Sequence, residues 1–199
     1  MESLRSIPPP RPRRGTAAGT RERLVATAAE VFNREGYHGT DSNRLARAAG
    51  YAPATFYKHF PDKRALFLAV YDHWVTSEWK AVDAIFQGEA SPALRAERLV
   101  DMVVALHRRW RGLRASLRAL VATDATVRAA YRAQRRRQLR LMARLAGRPG
   151  RLAAGDAVLL FTLERVADAL GEGEVADLGL AVAPTVAHLR AIVTRHLGG

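Results

Sequence analysis

At 199 residues, 48% of them hydrophobic, the chain is long enough for a substantial core, and with no cysteine it has neither disulfides nor thiolate chemistry. Its 32 Lys and Arg against 19 Asp and Glu leave a formal charge of +13, which favours a polyanionic partner, nucleic acid foremost. No apolar run reaches the ~20 residues needed to cross a bilayer, and prolines interrupt the N-terminus where a signal peptide needs an apolar core, so the expectation is a cytoplasmic protein with no membrane partner.

The stretch PPPRPRRG and its surroundings lack apolar periodicity and carry Arg5, Arg11, Arg13 and Arg14, so residues 1–18 read as a disordered basic arm. From Thr20, a candidate N-cap, Leu24, Ala28, Val31 and Phe32 recur at helical spacing, and Gly36 ends this first helix. Asp41 caps a short second helix that runs through Ala49 to Gly50, and a third runs from Pro53 to His59. Asp62 then caps a long fourth helix, with Leu66, Val70, Trp74, Ala81 and Ile85 on one stripe as far as Gly88.

Ser91 and Pro92 start a fifth helix whose face is Leu99, Met102, Val103, Leu106 and Trp110. GLRASLRALVATD forms a sixth, and Asp124 to Leu145 a seventh that ends before Gly147. Asp156 is the expected cap of an eighth, to about Leu170, and a ninth runs from near Pro184 to Leu197. No stretch alternates with period two over strand length, so the fold class is all-α.

The second and third helices, joined by a tight glycine turn and braced by the first, match a helix-turn-helix, whose second helix enters the major groove. The run AAEVFNREGYHGTDSNRLARAAGYAPATFYKHFPDKRALF resembles the DNA-binding domain of the TetR family of bacterial transcriptional regulators. Phe32, GYHGT, LARAAG and TFYKHFPDKRALF carry the likeness. Two positions depart from the family pattern: Ser42 stands where an apolar residue is usual, and Ala52 where a capping serine is usual, at a cost of about 1 kcal/mol to the third helix. The resemblance implies a three-helix DNA-binding domain over residues 19–67 and a helical ligand-binding and dimerisation domain over residues 68–199.

On the third helix, Phe56 and Phe60 stand four apart and share a face that belongs in the core. By the resemblance, Tyr57 and His59 match phosphate contacts, while Ala54 and Thr55, after Pro53, lie where base edges are approached. Lys63 matches a backbone-phosphate contact, and Lys58 divides evenly between a phosphate contact and a solvated charge. Thr40 and Arg44 are candidates on the second helix; Arg47 reads as a solvated face.

In the larger half, Val127, Tyr131, Gln134, Gln138, Leu141, Met142 and Leu145 share one face, so two amides sit within an apolar stripe and need partners. A ligand cavity would supply them, and so would ordinary bonds between helices. Trp74, Trp79, Phe86, Trp110, Tyr131 and Phe161, with Glu164 or Arg165 as a polar anchor, are the candidate cavity residues beside Gln134 and Gln138. The arginines of RAAYRAQRRRQLRLMAR read as a solvated face.

The last two helices carry surplus apolar surface. The resemblance assigns it to a homodimer interface, and a two-fold dimer suits a palindromic operator of double-stranded DNA. The six histidines form no i,i+4 pair, and HExxH, GxSxG and GxxxxGK[ST] are absent, so neither an enzyme nor a cofactor is expected. The resulting expectation is a repressor released by a small-molecule effector. The alternative is a protein that coats DNA without regard to sequence.

Overall fold

The computed structural model describes residues 16–88 and 91–198. The expected basic arm lies outside the described residues except for its last three, which already belong to the start of a helix. The described residues form ten helices: α1 (Ala17–Glu35), α2 (Ser42–Ala48), α3 (Pro53–His59), α4 (Lys63–Gly88), α5 (Pro92–Arg109), α6 (Arg111–Thr123), α7 (Ala125–Leu145), α8 (Ala154–Glu172), α9 (Glu174–Asp177) and α10 (Val182–Gly198). No strand occurs among the described residues. The chain divides into two compact units between Tyr71 and Asp72, and the division falls inside α4.

In the first unit, α1 begins earlier than the sequence suggested. Thr16, not Thr20, is the N-cap, its hydroxyl accepting the Gly19 N–H at 3.1 Å. Thr20 is buried on the helix face that also carries Leu24, Ala28, Val31 and Phe32, so its side chain faces the core while Ala17 and Ala18 extend the helix backwards. Phe32, Phe56 and Phe67 are fully enclosed, and the rings of Phe32, Tyr37 and Phe67 meet at 5.3 to 5.8 Å. Three aromatic side chains from α1, the following loop and α4 thus hold one end of the unit together.

In the second unit, α5, α8 and α10 pack around Leu99, Val100, Val103, Leu159, Leu163, Leu189 and Val193. The expected caps of Ser91 and Asp124 are present: the Ser91 hydroxyl accepts from Leu94, and the Asp124 carboxylate accepts from Thr126 and Val127. Asp156 corrects the prediction for α8. It stands at the third helical position after Ala153, accepting the Ala153 N–H at 3.4 Å, and it is buried because Arg148 and His196 also donate to it at 2.9 and 3.1 Å. Burial alone would raise this carboxyl, but those donors hold it below the usual carboxylate range. The single turn α9 was not foreseen, and α10 starts two residues before Pro184.

A buried polar network ties α5, α6 and α8 together. Asp168 accepts from Arg114 at 2.5 Å and from Arg118 at 2.9 Å, and His107 Nδ1 lies 2.9 Å from it. Burial would push the Asp168 carboxyl up, yet the bonds from His107 and Arg114 hold it far below the ordinary range. His107 is enclosed, and burial lowers its pKa, so the neutral ring donates its Nδ1–H to Asp168.

Candidate functional site

The geometry of the first unit is set at two turns. At the end of α2, Gly50 adopts φ 83°, the Tyr51 N–H bonds back to the Ala46 carbonyl at 2.9 Å, and the Gly50 N–H bonds to that of Arg47 at 3.0 Å. This pair of bonds with glycine in the left-handed region is a Schellman closure. Three residues later the chain re-enters a helix at Pro53. Ala52 occupies the N-cap with no side-chain bond, so the missing cap expected from the sequence is a structural fact.

α3 is only seven residues long, and its sides differ sharply. Phe56 and Phe60 are buried, at 0% and 3% exposure, with their rings 6.0 Å apart. Ala54, Tyr57 and Lys58 are exposed, Tyr57 to 54%, while Pro53, Thr55 and His59 are half-buried at the edges of that surface. A protruding tyrosine, a lysine and a small apolar start form a surface suited to a groove: donors for phosphates and little bulk where base edges approach.

The second turn joins α1 to α2. Lys63, at the first position of α4, donates to the carbonyls of Tyr37 at 2.8 Å and Thr40 at 2.7 Å, and its ammonium lies 4.2 Å from the Tyr37 ring centroid. Burial lowers its pKa, and the Asp41 carboxylate partly offsets this. The ammonium therefore closes the loop between α1 and α2. Thr40 is buried, and its hydroxyl makes no hydrogen bond among the described residues. Gly39 admits no side chain here, because a Cβ would collide with the Glu35 carbonyl oxygen.

Arg44 is held by the same loop: it pairs with Glu35 at 2.9 Å and donates to the Gly39 carbonyl at 3.2 Å, with over half of its side chain exposed. Of the nine residues singled out for DNA, the exposed set is Arg44, Ala54, Tyr57 and Lys58. Lys63 and Thr40 sit behind them, in the loop that supports α2 and α3.

The second unit encloses a cavity of about 570 Å³ lined from α4, α5, α7, α8 and α10. Most of its wall is apolar, including Trp79, Val82, Phe86, Leu99, Met142 and Leu163. Of the rings and polar residues expected to line a cavity, Trp79, Phe86, Gln138 and Glu164 do. The others lie elsewhere. Trp74 is buried beneath Arg114, whose guanidinium is 5.2 Å from its ring; Trp110 caps α5 beside Arg109 at 5.0 Å; and Phe161 is 54% exposed. Gln134 donates to Asp72 at 3.1 Å, an ordinary bond between α7 and α4, and Tyr131 receives a bond from Arg135.

Arg135 is the main departure from the sequence reading. It belongs to the arginine run of α7, yet its guanidinium grips Glu164 with both terminal nitrogens, reaches Gln138 at 3.1 Å and lies 4.6 Å from the Tyr131 ring centroid. Arg132, Arg136, Arg137 and Arg140 are exposed as expected. Glu78, next to Trp79 on α4, was not singled out, and it too lines the cavity. Burial pushes the Glu78 carboxyl up to about 7, the nearby Glu164 adds to the rise, and Arg114 and Arg135 oppose it. Among the described residues no group of His, Asp and Glu side chains could hold a metal ion, and no helix is long and apolar enough to cross a membrane.

The chain thus carries a helix-turn-helix unit followed by a cavity-bearing helical unit. Residues 24–70 match the family model described as bacterial regulatory proteins, tetR family. The HTH-type transcriptional regulator UidR of Escherichia coli K12 is 33% identical over 54 residues, which cover 27% of this chain and 28% of UidR, so the match spans little more than a quarter of that relative. A TetR-family regulator from Streptomyces coelicolor superimposes with a TM-score of 0.70 at 22% identity, covering 92% of this chain and 97% of its own. AibR, solved in complex with isovaleryl coenzyme A and operator DNA, gives 0.58 at 18% identity, covering 77% and 86%. At these identities the solved structures share the fold.

Proposed function

We propose that the chain is a cytoplasmic transcriptional repressor that binds a palindromic operator in double-stranded DNA as a homodimer and is released by a small molecule held in the cavity. The observation that carries this reading is the two-sided character of α3. Phe56 and Phe60 fix it to its unit while Ala54, Tyr57 and Lys58 stand free on the other side, directly after a glycine-closed turn. Pro53, Ala54 and Thr55 approach base edges; Tyr57, Lys58 and His59 meet phosphates; and Arg44 reaches the groove edge from α2. Lys63 and Thr40 act from behind, by holding the loop on which α2 rests.

Two exposed apolar groups support dimerisation through α8 and α10. Val158 and Phe161, one turn apart on α8, are 64% and 54% exposed, and Ile192 on α10 is 38% exposed. A two-fold pairing would bury them and set two reading helices about 34–36 Å apart on successive major grooves. α4 offers the link between ligand and DNA: its first residue, Lys63, holds the loop before α2, and its residues 78, 79, 82 and 86 line the cavity. A ligand that favours one position of α4 by about 1–3 kcal/mol would suffice for release.

The test is selection of bound sequences from a random pool of duplex DNA by the purified chain. Enrichment of one palindrome with half-sites a helical turn apart supports the regulator. Recovery of the pool without enrichment would instead mean a protein that coats DNA through its charge.

A further inference from the structure

The acids that line the cavity are not equivalent. Asp156 is bonded by Arg148 and His196, and Glu164 is gripped by Arg135. The Glu78 side chain makes no hydrogen bond and no ion pair among the described residues, although it lines the cavity with Gln138, Leu163 and Trp79. Glu78 faces Glu164, Arg114 and Arg135, but Arg114 is committed to Asp168 and Arg135 to Glu164, so an ionised Glu78 is left without a counter-charge of its own. In an apolar wall that charge must be neutralised, by a proton or by a cation from outside.

We infer that the cavity takes an organic cation, a protonated amine carried on an apolar body, whose nitrogen pairs with Glu78 and lies against the Trp79 indole. The inference deepens the regulator reading and rests on it for the consequence of binding, not for the binding itself. Several features agree on the chemistry. A cavity of about 570 Å³ lies in the range that holds drug-sized molecules, and its wall covers an apolar body. A cation regains at Glu78 the ion pair that the protein does not provide, and an indole face adds to the attraction. An anionic head group would meet the Glu78 and Glu164 carboxylates at this end; of the arginines in the wall, Arg148 is committed to Asp156 and Arg95 to the Phe86 carbonyl, while Arg195 belongs to α10.

Because burial pushes the free Glu78 carboxyl up to about 7, much of it is protonated near neutral pH, and a bound cation displaces that proton. The groups that face it are Glu164 from α8, Arg135 from α7 and Arg114 from α6. Affinity for the cation should therefore rise as pH increases through about 7 and level off above it. An amine with a pKa near that of lysine stays charged throughout this range.

The test is calorimetric titration of the full chain with decylamine, 1-decanol and decanoate below their micellar concentrations, on the wild type and E78Q. The expected result is saturable decylamine binding at least about tenfold tighter than that of decanol. Its affinity should climb with pH in the wild type, and E78Q should remove both the preference and the climb while keeping decanol binding, which shows the cavity intact. Decanol or decanoate binding as tightly as the amine, an E78Q variant with unaltered amine affinity, or no saturable amine binding would each overturn the inference. Operator release is read separately. Glu78-dependent amine binding without release supports the cation site and defeats the effector reading, whereas release by decanol or decanoate alone supports the effector reading and defeats the cation site.

Discussion

The two units differ in how they treat their buried polar groups. In the first, the side chains that organise the site satisfy backbone: Asp41 accepts the Arg44 N–H, Asp62 accepts the Ala65 N–H, and Lys63 donates to two loop carbonyls. Its exposed surface on α3 is left for a partner. In the second, side chains meet side chains across helices, Asp168 with His107, Arg114 and Arg118, and Glu164 with Arg135. Within that network Glu78 is left over. On the proposed reading, a site for an extended polyanion is built on the outside of a scaffold closed by side chains that bond backbone, and a site for a small molecule on a gap in a network of side chains from separate helices.

Substitutions can break or sharpen this contrast. The largest effect is expected from Phe56→Ala. Removing an enclosed ring costs about 3–5 kcal/mol, enough to unfold the first unit and abolish DNA binding, as denaturant melts and gel shifts would show. Asp168→Asn should cost the second unit about 3 kcal/mol, because Arg114 is left buried without its counter-charge; denaturation of the variant reads this. Lys63→Met orphans the Tyr37 and Thr40 carbonyls, so a loss of about 1–3 kcal/mol of stability should accompany any loss of DNA affinity. Lys58→Ala, by contrast, should leave the melt unchanged and lower the slope of log affinity against log salt by about 0.9, the signature of one lost phosphate contact.

Smaller effects follow from single groups. Glu78 has its folded pKa raised from 4.5 to about 7, so folding is opposed once the unfolded acid ionises while the folded one holds its proton. Wild-type stability should fall, relative to E78Q, as pH rises from 4.5 to about 7, and the gap should stay constant above that, on the order of 1–2 kcal/mol. Thermal melts of both proteins across this range check it. Ala52→Ser supplies the cap that α3 lacks and should stabilise the first unit by about 1 kcal/mol, with DNA binding retained.

The same contrast decides what could be read from the sequence. Helix boundaries in both units follow short-range signals, so Asp41, Pro53, Asp62, Ser91 and Asp124 mark starts where the structure has them. The sequence pattern starts α1 too late, at Thr20, because that side chain is buried in the core and burial is not a local property. The opposite faces of α3 were legible because four-residue spacing separates Phe56 and Phe60 from Tyr57. The role of Lys63 was not, since its acceptors lie 23 and 26 residues away.

In the cavity, helical periodicity separates apolar from charged faces but cannot say that one arginine of a run turns inward. Arg135 does so because Glu164, 29 residues on, meets it on a neighbouring helix. Glu78 and Trp79 likewise gain their meaning from α5, α7 and α8 around them. Large rings were a poor guide to the lining for a related reason: Trp74 is enclosed under Arg114 and Phe161 lies on the outer face of α8, positions set by packing between helices.

The central claim, that the exposed side of α3 reads DNA, is tested most directly by measuring operator affinity for the double variant Tyr57→Ala, Lys58→Ala beside its thermal melt. Both side chains are exposed, so the melt should match the wild type, while the loss of two phosphate contacts should weaken operator binding by roughly 30-fold. An intact double variant that binds the operator as tightly as the wild type would contradict the account.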